Sequence, residues 1–246
     1  MKKKIPYLLF TCLFVYVVIA LTFAASKRDE VLCTGVSVTI ADADANSFIE
    51  EVDVERLMRR GYGELLEHRI NQIDKDKLEQ LLINNSVIKS AEMYFDLGGT
   101  LHVDVTQRRP VLRVMNSKEG GGYYVDDEGE IMPLSGRYSA RVVIGSGNIS
   151  RKFAVEKLYP YALLLREDAF WDAYIEQIVV KSESHIILIP KVGNFDIILG
   201  SLDNAEMKME KLRYFLKDGI AKKGWDAYKE INLKFGKQVV CVKRSQ

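Results

Sequence analysis

The most extended apolar pattern lies at the N-terminus, where the run from Ile5 to Ala25 carries no charge. About 20 helical residues, each rising roughly 1.5 Å, match a membrane hydrocarbon core of about 30 Å. We therefore expect a single transmembrane helix at 5–25. Lys2, Lys3 and Lys4 precede it and outweigh the basic residues that follow it, which predicts a cytoplasmic tail at 1–4 and an extracytoplasmic remainder.

A cleaved signal peptide is the alternative explanation of this run, since Thr22, Ala24, Ala25 and Ser26 at its end are small. The apolar part of a signal peptide usually runs only about 7 to 15 residues. The greater length of 5–25 favours the membrane anchor.

After the anchor, the periodicity changes from element to element and predicts the order strand, helix, helix, strand, strand. The expected elements are Val31 to Ile40, Asp53 to Gly61, Asp74 to Asn84, Val87 to Phe95 and Thr100 to Gln107. We expect Asp53 to cap the first helix and Gly61 to end it. This order predicts helices packed on one face of a three-stranded sheet.

Pro110 follows Arg108 and Arg109 and cannot donate to a strand ladder, so we expect a domain boundary there, between 26–109 and 110–246. The second domain is richer in strands. They are predicted at 111–115, 122–126, 141–144, 175–180, 185–190 and 195–199, followed by a strand pair within 228–243 that turns at Gly236 and Lys237. Helices are predicted at 151–166, where Pro160 must kink or split the helix, and at 204–217.

Composition excludes some partners and weakens the case for an enzyme. The formal net charge is +1, so no basic field is available to bind nucleic acid. The three histidines, His68, His102 and His185, have no zinc-site spacing. Gly145, Ser146 and Gly147 fail the nucleophile-elbow pattern and are more typical of a turn. We therefore predict no catalytic residue, no metal site, no cofactor and no small-molecule substrate.

Asp42 and Asp44 are the basis of the strongest enzyme hypothesis. Two carboxylates separated by one residue can hold a hard cation, which would suit a type II membrane-anchored glycosyltransferase with a metal-bound nucleotide sugar. The ordinary explanation is that aspartate is common in turns that follow strands.

Cys33 and Cys241 lie near opposite ends of the outer region, while Cys12 lies inside the apolar run. A disulfide between the first two is possible, but a sequence does not show whether two cysteines lie within bonding distance.

Several segments, in their order along the chain, resemble one known family. They are SVIKSAEMYF (86–95), LHVDVTQRRPVLRV (101–114), YYVDDEGEIMPLS (123–135) and INLKFGKQVVCVKR (231–244). With the anchor ahead of them, the chain resembles the bacterial cell-division protein family FtsQ/DivIB. The resemblance implies an α+β protein with one transmembrane helix, a POTRA-like domain, and a mostly antiparallel β domain with flanking helices that ends in a partner-binding strand.

The resemblance also implies a function without catalysis. It is that of a divisome scaffold in the cytoplasmic (inner) membrane that binds small bitopic division proteins of the FtsB/FtsL kind and other divisome members, and so helps to control septal peptidoglycan synthesis. From the residues themselves, the run Val239, Val240 and Val242 suits either an ordinary internal strand or a strand that pairs with another chain. The expected partner-binding residues are Lys234, Phe235, Gln238, Val239, Val240 and Val242.

Overall fold

The computed structural model of the protein describes residues 10, 12–19, 31–43, 46–115, 121–220, 224–236 and 238–244. Residues 10 and 12–19 are helical, and the rest of the predicted anchor at 5–25 lies outside the described residues. Within the described part of the chain, no helix combines the length and apolarity that crossing a membrane requires. The chain divides into two compact units, 1–107 and 108–246.

The first unit has a three-stranded sheet with two helices. Its strands are β1 (Gly35–Ile40), β2 (Ile88–Phe95) and β3 (Thr100–Gln107), and its helices are α1 (Glu51–Gly61) and α2 (Lys75–Ile83), with a 3₁₀ turn at Ile70–Gln72. The sheet order is β1-β3-β2, with β1 parallel and β2 antiparallel to β3. The predicted order of elements is confirmed.

Helix α1 begins earlier than predicted but ends at Gly61, as predicted. It begins at Glu51, because a capping box joins Glu50 and Asp53, so Asp53 lies in the first turn instead of capping it. Gly61 is the last residue of the helix. An added Cβ there would lie 2.0 Å from Leu81 Cδ1, so this glycine permits close packing against α2.

Residues 31–34 do not continue β1, contrary to the strand predicted from Val31. Residues 31–33 pair instead with the segment before α2: Cys33 N–H donates to His68 O at 2.8 Å, and Ile70 N–H donates to Val31 O at 3.0 Å. A periodic pattern shows that a segment is extended, whereas the pairing partner is chosen by the fold.

The second unit is a nine-stranded mixed sheet. Its strands are β4 (Pro110–Met115), β5 (Tyr123–Asp126), β6 (Ile131–Pro133), β7 (Val143–Gly147), β8 (Ile175–Ser182), β9 (His185–Pro190), β10 (Asp196–Gly200), β11 (Tyr228–Asn232) and β12 (Val240–Lys243). Their order is β12-β11-β10-β9-β8-β7-β4-β5-β6. Among these strands, five neighbouring pairs are antiparallel and three are parallel.

Helices pack against this sheet and contribute to its core. They are α3 (Arg151–Phe153), α4 (Tyr159–Glu167), α5 (Ala169–Tyr174) and α6 (Ala205–Tyr214), with π-helical segments at Ala154–Leu158 and Phe215–Ile220. The helical run is continuous over 151–167 and changes from π to α at Tyr159, next to Pro160, so the proline coincides with a change of helix type and not with a break. Strand β6 and helix α5 were not predicted, since three and six residues respectively are too few to show a period.

Candidate functional site

The strand β12, near the C-terminus of the chain, forms one edge of the nine-stranded sheet. It pairs antiparallel with β11 through Asn232–Val240, Ile231–Cys241 and Glu230–Val242. Strand β11 in turn runs parallel to β10. Among the described strands, β12 has a neighbour on one side only, so alternate backbone groups along its other side are available for pairing.

Two hydrogen bonds identify which residues of β12 direct their backbone outward. Leu233 N–H donates to Ile198 O of β10 at 2.9 Å, so Ile231, two residues before, also faces β10, while Glu230 and Asn232 face β12. Their partners Val242 and Val240 therefore use their backbone groups within the sheet. Arg244, two residues after Val242, also directs its N–H into the sheet, because it donates to Ala227 O at 3.1 Å. The outward groups belong to Val239, Cys241 and Lys243.

The side chains alternate across the two faces of this edge. Val239 and Cys241 are half-buried against the core of the unit, whereas Val240 and Val242 are exposed by 38% and 48%. An apolar stripe on an exposed edge suits an added strand, because alternate side chains supply specificity while the main chain supplies hydrogen bonds.

The remaining predicted residues lie on the connection between β11 and β12. This connection runs over 233–239 and is longer than the predicted turn at Gly236 and Lys237, of which Lys237 lies outside the described residues. Lys234, Phe235 and Gln238 are all exposed, and Phe235 shows 45% of its surface. The structure thus places the six predicted residues on one continuous hairpin.

Lys211 on α6 holds this connection in place. Its Nζ donates to Leu233 O at 3.3 Å and to Phe235 O at 2.6 Å. Lys234 N–H donates to Asn232 Oδ1 at 3.1 Å, and an added Cβ at Gly200 would lie 2.7 Å from Lys234 Cγ. Phe235 is therefore presented to solvent by a loop anchored at several points, which reduces the entropy lost when a partner binds.

Several residues of the site were not predicted. Lys211 is distant in sequence, and nothing in the helical pattern of 204–217 distinguishes its role. Arg244 donates a side-chain hydrogen bond to Asn194 O and so holds the far end of β12. Cys241 supplies an outward backbone group, and burial raises the pKa of its thiol. Cys33 and Cys241 are both free thiols in this structure.

The Asp42 carboxylate, considered above as a metal ligand, has a structural role. Its Oδ1 accepts from Gln107 N–H at 3.1 Å, and its Oδ2 accepts from Asn46 Nδ2 at 3.3 Å. Gln107 is fully buried, and its Oε1 accepts from Phe48 N–H and Ile49 N–H just ahead of α1. Asp44 lies outside the described residues, and this geometry adds no support to the glycosyltransferase hypothesis.

Ser146 lies within β7, and its Oγ accepts from Gln177 Nε2 at 2.6 Å. It is therefore a strand residue and not a turn residue, contrary to the prediction. In the described ranges, no three His, Cys, Asp or Glu side chains are grouped closely enough to hold a metal ion.

Comparison with known proteins agrees with this architecture. The family model described as FtsQ/DivIB, C-terminal related, matches residues 109–242, which include β4 to β12 almost completely. The chain belongs to the FtsQ/DivIB family. A second model, that of a POTRA-like domain, matches residues 31–106. No curated protein matches this chain.

Membership of the FtsQ/DivIB family confirms the resemblance and part of what it implied. The fold is α+β, with a POTRA-like domain followed by a large mixed sheet with helices. The family relates the chain to cell division, to a scaffold role and to interaction with other divisome proteins.

Proposed function

We propose that this FtsQ/DivIB-family chain is a non-enzymatic divisome scaffold whose β12 edge binds small bitopic division proteins of the FtsB/FtsL kind. Through them it helps to control septal peptidoglycan synthesis. The observation that carries the proposal is the position of β12 at the edge of the sheet, where Val239, Cys241 and Lys243 direct their backbone groups outward.

The exposed side chains add specificity to this edge. A partner strand laid beside β12 would bring its own side chains next to Val240 and Val242, and the exposed ring of Phe235 would lie at one end of the new ladder. Aromatic residues at such positions are common anchors of interfaces. Lys234 precedes Phe235 in the chain and adds a positive charge to the same loop.

The proposed function also requires that the folded domains lie on the side of the membrane where the partner is accessible. We place a transmembrane helix at 5–25, with residues 1–4 in the cytoplasm, because the run is uncharged and is preceded by three lysines. The two folded domains, 26–109 and 110–246, then lie outside the cytoplasm, where the outer segments of bitopic proteins are accessible.

Photo-crosslinking in the full-length chain tests the proposed partner edge. A photoreactive amino acid replaces Val242, and the captured protein is identified by mass spectrometry. We expect a small single-pass division protein, because the side chain of Val242 would lie beside the added strand.

The matched control carries the same photoreactive group in place of Met207 on α6, which is 53% exposed. This position should not capture that protein. Equal capture from both positions, or capture of other proteins only from position 242, would contradict the proposed site.

A further inference from the structure

Three exposed leucines lie at the end of the POTRA-like domain where the chain enters it from the apolar run. Leu97 is 99% exposed, and Leu32 and Leu66 are 45% and 40% exposed. Single apolar residues on a surface need no explanation. These three, however, lie on segments that are joined to one another through residues 31–34.

The hydrogen bonds of residues 31–34 bring the three leucines to one end of the domain. Thr34 N–H donates to Gly99 O and Thr34 Oγ1 donates to Gly98 O, both at 3.0 Å. On the other side, Glu67 N–H donates to Cys33 O at 2.9 Å. The β2–β3 hairpin tip and the segment around Leu66 therefore both flank the point of entry.

The hairpin tip that carries Leu97 is an ordered turn. Asp96 Oδ1 accepts from Gly98 N–H at 2.9 Å and from Thr100 N–H at 2.8 Å, while Asp96 Oδ2 lies 3.2 Å from His102 Nε2. Gly99 has a φ of +88°, and an added Cβ would lie 2.2 Å from Leu32 O. The turn leaves the Leu97 side chain fully exposed. Both carboxylate oxygens of Asp96, the acidic residue of the turn, have polar contacts within the hairpin.

Covalent geometry limits how far this end can lie from the apolar run. Five residues separate Ala25 from Val31, and six Cα–Cα steps span at most about 22 Å whatever path they take. The opposite end of the domain is farther away, because β3 advances roughly 23 Å between Thr100 and Gln107. At that far end, Gln107 binds the segment that leads into α1.

We infer that Leu97, with Leu32 and Leu66 beside it, enters the headgroup–acyl boundary of the membrane that holds the 5–25 segment; this inference rests on the anchored topology proposed above. Loop tips with apolar side chains and nearby cations suit that boundary. Arg69 is exposed on the segment paired with 31–33 and suits lipid phosphates. The contact fixes which end of the domain faces the bilayer.

The test uses the full chain reconstituted into vesicles of phosphatidylethanolamine and phosphatidylglycerol. In a background of Cys12→Ser and Cys241→Ser, Leu97→Cys carries a small fluorophore that reports its environment. Cys33 is buried and stays. We expect quenching by a nitroxide placed on the lipid near its headgroup, loss of quenching by aqueous iodide, and a blue-shifted emission.

Val52→Cys with the same fluorophore is the matched control. Val52 is 59% exposed and lies on the first turn of α1, at the opposite end of the domain. We expect its fluorophore to be quenched by iodide and not by the lipid nitroxide. Equal behaviour of both fluorophores would show that the label, not the position, determines insertion, and would overturn the inference.

Flotation of the same vesicles distinguishes the two proposals. If the chain floats with the vesicles but iodide quenches the fluorophore at position 97 as strongly as at position 52, the anchor stands and this inference fails. If the chain does not float, the anchored topology fails and the inference fails with it. Crosslinking from position 242 reports the partner edge independently of either result.

Discussion

Glu79 of α2 accepts a hydrogen bond at its Oε1 from the main-chain N–H of Met93, at 3.0 Å. Met93 lies on β2, an edge strand of the three-stranded sheet, so a carboxylate occupies an outward donor of that edge. No described side chain does the same for residues 238–243 of the other sheet. The two edges thus differ. On β2, a side chain of the same domain occupies an outward N–H group and so guards the edge, whereas β12 is open to pairing.

The first prediction concerns this guarded edge. Glu79→Ala should lower the melting temperature, because a hydrogen bond to a charged group contributes roughly 1.5 to 3 kcal/mol. It should also increase self-association, since the freed N–H is available to a second chain. Glu79→Gln, which keeps an acceptor oxygen, serves as the control and should remain close to the wild type. Thermal melting and sedimentation velocity measure both effects, and a monomeric, fully stable Glu79→Ala would contradict the assigned role.

A pair of proline substitutions tests the alternation along β12. Cys241→Pro removes an outward N–H, whereas Val240→Pro removes an N–H that faces Asn232 within the sheet. Proline is tolerated where its missing donor faces solvent. We expect Cys241→Pro to keep the fold but to bind an FtsB/FtsL-like partner about tenfold more weakly or worse, because the partner loses a main-chain hydrogen bond.

Val240→Pro should instead loosen the β11–β12 hairpin, which circular dichroism and thermal melting would detect. The assignment of outward and inward groups is reversed if Val240→Pro stays folded while Cys241→Pro unfolds. The partner edge itself is rejected if a folded Cys241→Pro binds with unchanged affinity.

Phe235→Ala tests the proposed aromatic anchor. The ring is 45% exposed and lies on a loop held by Lys211. Its removal should leave stability nearly unchanged but cost about 2 kcal/mol of binding free energy, a loss of about thirtyfold in affinity. Tyr214→Ala, which removes an aromatic side chain that is 63% exposed on α6, is the control and should bind normally. Titration calorimetry with the partner's outer segment would show whether the two variants differ.

Asp168 makes acid stability a test of the α5–α6 contact. The Arg213 guanidinium, which binds its carboxylate, and the N–H groups of Phe170 and Trp171 lower the pKa of Asp168. A lowered folded-state pKa contributes stability that is present above the unfolded pKa of about 3.9 and is lost as the pH falls through the folded value.

Asp168→Asn should therefore melt below the wild type at pH 7, by a modest amount because both partners are partly exposed. The difference should shrink as the pH falls below about 4. Asp172→Asn, which removes an exposed carboxylate of the same helix, should show no such convergence. A difference for Asp168→Asn that stays constant down to the lowest pH would contradict the assigned ion pair.

Much of the fold is predictable from local patterns. The alternation in 100–107 and the leucines at 78 and 82 identify β3 and α2, because period and capping depend on residues close in the chain. Asp74 is the cap of α2, as its Oδ1 accepts from Lys77 N–H. The order of the four segments quoted above is enough to predict the FtsQ/DivIB family, and the six expected partner residues lie together on one hairpin.

The sequence by itself therefore determined the type and order of most elements, and the segment 234–242 as the candidate edge. Only the tertiary structure decided that β12 is an edge strand of the sheet, that the backbone groups of Cys241 point outward and those of Val240 inward, and that Asp42 binds Gln107, 65 residues away. It also decided that Lys211 anchors the loop of Phe235. The reason is physical: periodicity records which side of an element is buried, whereas sheet order and side-chain partners depend on contacts between residues that are distant along the chain.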